Sequence, residues 1–261
     1  MRILFLGDVV GKPGRQAIRS QLPRLIHREQ LALVVANCEN VASGAGVDPR
    51  GAQELLDAGV DVLTSGNHVW RRKEVIEFID SERRLLRPAN FPPSVPGRAW
   101  TVSETADGTG VAVINLIGRV FMDAVDCPFR TVEALLPEVR ARARVIVVDM
   151  HGEATSEKAA MGWFLDGKVS AVLGSHTHVQ TADERVLPNG TAYVTDAGMC
   201  GPTDSVIGVR KELALQRFLT HMPVKFEVAS GPVVVQGVIV DIDPASGRAE
   251  RIRRLQQSGE G

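Results

Sequence analysis

No apolar run in the sequence is long enough to span a bilayer, and the opening stretch Met1-Arg2-Ile3-Leu4-Phe5-Leu6 meets Gly7-Asp8 at once, too soon for a signal-peptide core. These absences point to a cytoplasmic protein with no membrane partner. Cysteine is scarce: Cys38, Cys127 and Cys200 are odd in number and lack paired spacing, which disfavours a disulfide framework and suits reduced, buried thiols. Only the adjacency of Cys38 to Glu39 leaves a redox role open. An excess of charge is lacking too, with 30 Lys plus Arg against 31 Asp plus Glu and a net charge of -1, so the global balance does not suggest wrapping around a long polyanion. Any phosphate chemistry must be local. Repeats and low-complexity tracts are absent, and 44% hydrophobic with 23% charged residues is ordinary globular usage. The 261 residues are expected to form one domain, 1–261.

What is present is alternation. Short β-branched runs recur at Ile3 to Leu6, Leu31 to Ala36, Val60 to Thr64, Val111 to Leu116, Val145 to Val148 and Val169 to Leu173, with helical stretches between several of them. The first helix runs from Gly11 through Ile18, Leu22, Leu25 and Ile26, and Pro23 is expected to kink or shorten it. Asp48-Pro49 caps and opens a second helix that stops at Gly59. A third is expected over Thr155 to Leu165, with its cap and early acidic charge in Thr155-Ser156-Glu157-Lys158. The last third is strand-rich, with runs at Thr191 to Thr195, Val224 to Val228 and Val233 to Ile242, one helix near Lys211 to Leu219, and hence a second sheet. Arg87 to Pro96 reads as a long loop, and the polar stretch 246–261 is expected to be mobile.

Five segments put metal-type ligands directly after an apolar run: Gly7-Asp8, Glu39-Asn40, Gly66-Asn67-His68, Met150-His151 and Gly174-Ser175-His176-Thr177-His178. Strand ends of an α/β sheet form one rim, so residues far apart in sequence can converge there. Of six histidines, four lie in these segments, and His27 and His221 read as surface residues. Taken alone, Asp8 reads more readily as a turn cap and His151 as a merely hydrogen-bonded imidazole. His176 and His178 are stronger, because residues two apart on extended chain point to the same side. Two carboxylates, two carboxamides and three or four imidazoles, without thiolate, suit iron, manganese or zinc and disfavour a cysteine-built zinc cage. Two divalent cations against Asp8 and Glu39 would leave about two positive charges, which favours a phosphate substrate. Other phosphate motifs fail: Gly7 to Pro13 is one residue short of a P-loop and has Pro13 where Ser or Thr should stand, and Gly44-Ala45-Gly46 lacks the third glycine of a dinucleotide fingerprint.

These segments, in this order, resemble the calcineurin-like metallophosphoesterases. Asn37-Cys38-Glu39-Asn40, Gly118-Arg119-Val120-Phe121-Met122, His151-Gly152-Glu153-Ala154-Thr155-Ser156-Glu157-Lys158 and Thr195-Asp196-Ala197-Gly198 extend the likeness to their YmdB-like branch over nearly the whole chain. Val10 stands where the wider superfamily has a histidine, and Glu39 where it has an aspartate, both as in that branch. The resemblance implies a four-layer α/β/β/α sandwich with two mixed sheets. It implies two metal ions, iron before manganese or zinc, one held by Asp8, Glu39, Asn40 and His178 and the other by Glu39, Asn67, His151 and His176, with Glu39 bridging. It further implies a metal-dependent phosphodiesterase in which hydroxide activated by the ions attacks phosphorus and His68 is the general acid, or else a group that orients its neighbours. The implied substrates are 2′,3′-cyclic and also 3′,5′-cyclic nucleotides, with RNA ends left open, and the implied assembly is a homo-oligomer. The rival readings are a phosphomonoesterase on the same centre and a noncatalytic metal- or nucleotide-binding regulator.

Overall fold

Each apolar run of the first two thirds folds as a strand, and the computed structural model describes residues 1–259. The chain runs β1 (Arg2–Leu6), β2 (Asp8–Val9), α1 (Gly11–Glu29), β3 (Leu33–Asn37), α2 (Pro49–Asp57), β4 (Val62–Thr64), α3 (Val75–Ser81), β5 (Trp100–Glu104), β6 (Gly110–Ile117) and α4 (Pro128–Arg142). There follow β7 (Val145–His151), α5 (Thr155–Leu165), β8 (Ala171–Ser175), β9 (Arg185–Val186), β10 (Ala192–Val194), β11 (Met199–Pro202), α6 (Lys211–Thr220), β12 (Val233–Ile242) and β13 (Ala249–Gly259). One sheet has the order β2-β11-β12-β1-β3-β4, with β13 also on β12, and the other has the order β5-β6-β7-β8-β10-β9. Both are mixed: β1 is parallel to β3 but antiparallel to β12, and β6 is parallel to β7 but antiparallel to β5.

Strand alternation sorts the core into three layers of side chains. Along β1, Leu4 and Leu6 pack with Ile18, Leu22 and Leu55 of α1 and α2, while Ile3 and Phe5 pack with Val113, Val147 and Leu173 of the facing sheet. Ala112, Ile114, Ile146 and Val148 face the other way, onto Val132 and Leu136 of α4 and Met161 of α5. The architecture is therefore α/β/β/α, as the resemblance implies. Among the described residues no helix is long and apolar enough to cross a membrane.

Several local expectations are corrected. Helix α1 continues unbroken through Pro23, which lies on its exposed face, as does Arg19, whose carbonyl loses its helical donor there. Asp48 caps α2 as expected, accepting from Gly51 N at 2.6 Å. In α5 the capping position is Ala154, which offers no side-chain bond, and the buried Glu157 instead accepts from the backbone N–H groups of Arg119 and Val120 in the preceding loop. Val224 to Val228 is not a strand; its one β-bridge among the described residues joins Val228 to Val209. The polar stretch expected to be mobile forms β13 in register with β12 from Val233–Gly259 to Ile242–Ala249, while residues 260 and 261 lie outside the described residues. Helices α3 and α4 are not among the expected elements, and α4 carries Pro137 inside it.

Candidate metal centre

The face between the two sheets is apolar along most of its length and turns polar at the carboxyl ends of the parallel strands. Two residues beyond Val35, Val62, Val113, Val147 and Leu173 stand Asn37, Thr64, Asn115, Asp149 and Ser175, all buried, and His151 follows Asp149 by two. Strand alternation thus aims a polar ring into one volume. Asp149 accepts from Asn37 Nδ2 at 3.1 Å and Ser175 Oγ at 2.6 Å, and also from Thr64 Oγ1. Ser175 Oγ and Asn37 Nδ2 in turn lie 2.9 and 3.3 Å from His151 Nδ1, which turns His151 Nε2 toward the ligand cluster.

All eight residues singled out by sequence meet here. Glu39 lies at the centre: its Oε2 accepts from His68 N at 3.0 Å and is 3.3 Å from His151 Nε2, and its Oε1 accepts from Asn40 Nδ2 at 3.1 Å. Asn67 Oδ1 is 3.1 Å from His151 Nε2, and His176 Nδ1 is 3.0 Å from the same atom. On the other side, Asn40 Nδ2 is 3.1 Å from His178 Nε2, which lies 3.8 Å from Asp8 Oδ1. His68 Nδ1 is 2.8 Å from Asn40 Oδ1 and 3.2 Å from Glu39 Oε1, two acceptors, so Nδ1 carries the hydrogen. His27 and His221 are exposed and apart from the cluster.

The two histidines after β8 converge for a reason other than the one expected. The chain there is not extended: His176 has φ 103 and His178 φ 64, so left-handed turns rather than strand alternation bring both rings inward. The turn is held from behind. Lys158 Nζ, 1% exposed, donates to Ser175 O at 3.2 Å and to Asp196 Oδ2 at 3.0 Å; Asp196 also accepts from Thr177 N at 3.0 Å and Gly198 N at 2.9 Å. On its inner side, His176 N donates to Asp8 Oδ2 at 2.9 Å. The sequence reading assigned no role to Asn37, Thr64, Asp149, Ser175, Lys158 or Asp196; the available signal was a polar residue ending each apolar run on its inter-sheet face.

Charge tells what the cluster can accept. Burial alone would raise the Glu39 carboxyl, but His151 and His68 hold it well below the usual carboxylate range. Burial raises Asp8, an effect that His178 and His151 only partly offset. Burial works against a charge on His151, yet Glu39, Asp8 and Asp149 push it up to about 9. His176, by contrast, is pushed down to about 3 by burial and by neighbouring His151. A cluster that draws a proton onto one imidazole among buried carboxylates is short of positive charge. Asp8 Oδ1 is buried and has no hydrogen-bond partner. Ligand atoms of Glu39, His151 and His176 lie within 4.8 Å of one another. Gly66 makes room for that approach: a Cβ there would stand 2.3 Å from His151 Nε2 and 2.4 Å from Glu39 Oε2. Nitrogen and oxygen donors, an orphaned carboxylate oxygen and deficient positive charge fit divalent cations. The thiols do not take part: burial pushes the Cys38 thiol up, and Cys200 up to about 12, so both are inert.

Comparison with known proteins places this geometry. The chain is 47% identical over 255 residues to the 2′,3′-cyclic-nucleotide 2′-phosphodiesterase of Bacillus subtilis (strain 168), covering 98% of this chain and 96% of that protein. A crystal structure of a hypothetical protein from Thermus thermophilus superposes with a TM-score of 0.93 at 42% identity over 100% of both chains. A crystal structure described as a novel phosphatase from Mycoplasma pneumoniae superposes with a TM-score of 0.92 at 32% identity, over 100% of this chain and 94% of that one. The family model for YmdB-like proteins matches residues 4–255, nearly the whole length, and the chain belongs to the YmdB-like family.

Proposed function

We propose that the protein is a metal-dependent phosphodiesterase that opens 2′,3′-cyclic nucleotides at the 2′ bond and also accepts 3′,5′-cyclic nucleotides. The observation that carries this reading is the convergence of Glu39, His151 and His176 within 4.8 Å beside the unpartnered Asp8 Oδ1. The activity of the Bacillus subtilis relative supports the substrate class. Asp8, Glu39, Asn40 and His178 would hold one ion, and Glu39, Asn67, His151 and His176 the other, with Glu39 shared. Bound there, two divalent ions, iron before manganese or zinc, supply Lewis acidity toward the phosphate oxygens and lower the pKa of a water.

The remaining steps belong to the protein. Water adds to phosphorus, releasing a proton to solvent, as the bond from phosphorus to O2′ breaks, and O2′ needs a proton. His68 gives it: Nδ1 is committed to Asn40 and Glu39, which leaves Nε2 as the proton carrier at the mouth of the cavity. Asn37, Asp149 and Ser175 keep His151 oriented while this happens. Cytoplasmic residence belongs to the same reading, since all three cysteines are free thiols.

The test is metal analysis of the purified protein together with hydrolysis of 2′,3′-cyclic, 3′,5′-cyclic and monoester substrates, repeated with Glu39→Gln. Two ions per chain, diester turnover, and joint loss of metal and turnover in the variant are expected. The relative described as a phosphatase favours the second reading, a phosphomonoesterase. Turnover of monoesters in preference to diesters would replace the first reading with it, and unchanged turnover in Glu39→Gln would remove the shared-ligand role.

A further inference from the structure

The ligand cluster opens into a cavity of about 560 Å³, within the usual range for a small-molecule site, and its two ends differ in chemistry. Glu39, Asn40, His68, His176 and His178 line one end. The other is largely apolar, lined by Val10, Ile207, Val209, Phe226 and Val228, with Glu227 between the last two. Phe226 and Ile207 are 50% and 49% exposed, an unusual display of large apolar groups beside a charged centre.

This apolar end is built, not frayed. Ile207 has φ 49, a left-handed conformation that is costly for a β-branched residue. It is fixed there by its own carbonyl, which accepts from His178 Nδ1 at 2.8 Å, so the turn that presents Ile207 also orients a residue of the cluster. Ser205 Oγ accepts from Gly208 N at 2.9 Å and closes the turn. Backbone bonds from Arg210 N to Glu227 O at 3.0 Å and from Ala229 N to Gly208 O at 2.9 Å lace it to the segment carrying Phe226. Strain of this kind persists where surrounding structure over-determines it, and such positions gather at ligand sites.

Resting on the cyclic-nucleotide reading above, we infer that Phe226 and Ile207 form the nucleobase subsite, a stacking wall that takes the base while the phosphodiester lies on the ligand cluster. A ligand spanning both ends of the cavity must join an anionic diester to a flat apolar group, and a nucleotide does so within one molecule. Aromatic stacking is sequence-tolerant because every base has a π-face. The subsite therefore accepts purines and pyrimidines and favours the larger purine surface.

The experiment compares holoenzyme and its Phe226→Ala and Phe226→Tyr variants on 2′,3′-cyclic AMP and on the base-free methyl riboside 2′,3′-cyclic phosphate. Calorimetric binding of adenosine 3′-monophosphate, the product of opening the 2′ bond, gives a readout independent of turnover. Phe226→Ala is expected to raise KM for the nucleotide about ten- to hundredfold, to erase most of the preference for nucleotide over the base-free diester, and to weaken product binding by a similar factor. Phe226→Tyr is expected to keep the preference. An unaltered nucleotide preference in Phe226→Ala, or an equal loss on both substrates, overturns the subsite. So does a changed oligomeric mass by light scattering with the preference intact, which would make the wall an interface between copies. Failure of the wild-type holoenzyme to open either cyclic phosphate overturns the functional reading itself, and the subsite with it.

Discussion

The floor and the rim of the ligand cluster are made in different ways. The floor, comprising Asp8, Glu39, Asn40 and His151, is at most 1% exposed and sits on or just beyond strand ends, where hydrogen bonds among Asn37, Asp149, Thr64 and Ser175 support it. The rim, comprising Asn67, His68, His176 and His178, is partly exposed and sits on turns, two of them left-handed. Sheet geometry alone positions the floor, whereas the rim needs clamps that act from outside it, such as the buried Lys158 and Asp196 pair. The difference suits the work each does. Under the proposed function, groups that hold cations act more strongly where water is excluded, whereas a proton donor such as His68 must reach a substrate that comes and goes.

The comparison can be broken by experiment. Its largest test is the loss of metal and turnover in Glu39→Gln, a floor change. Next, His68→Ala on the rim should lower kcat on cyclic nucleotides by about 10²- to 10⁴-fold while metal content measured by elemental analysis stays at the wild-type value. If metal is lost as well, His68 belongs with the floor. Third, Lys158→Met leaves Asp196 buried and unpaired and should lower stability by about 3–5 kcal/mol in thermal or denaturant unfolding. Metal affinity should fall too, because Asp196 also accepts from Thr177 N between the two rim histidines. Asp196→Asn added to it should restore part of the stability; no recovery would mean that the pair does not act as a unit. The smallest effect is chemical. Cys127, where N–H groups of Arg130 and Phe129 hold the thiol below its ordinary value, should alkylate in the native protein, faster as pH rises toward 9. Cys38, beside Glu39 and pushed up by burial, should react only with unfolding. Labelling of Cys38 under native conditions would show that the floor opens.

The floor was more legible in the sequence than the rim. Asp8, Glu39 and His151 stand where an apolar run stops, and a run that stops on a charged or imidazole side chain is visible without coordinates. The rim residues do come together, but the expected route for His176 and His178 is an extended strand, whereas the fold uses left-handed turns that no local pattern announces. The supporting residues were hidden for another reason. Asn37 and Asp149 are single polar letters inside apolar strands, and what makes them a unit is the register that sets β3 and β7 on facing sheets. Two misread stretches also turn on pairing. Residues 249–259 are polar yet form β13 because β12 supplies a full partner edge, whereas Val224 to Val228 has strand-like letters but a single bridge at Val228, and its Phe226, Glu227 and Val228 line the cavity.

The partners of β1 bear on how the site comes into being. Leu6, two residues before Asp8, is paired on one side with Gly237, and Met1 N donates to Ile242 O at 2.7 Å, so the first strand is completed by nearly the last. On a ribosome the segment carrying Leu6 and Asp8 stays without that neighbour until more than 230 further residues have been joined after Leu6. The gathering of the eight residues is thus a late product of synthesis, and a chain interrupted before β12 carries all eight letters without the frame that brings them together.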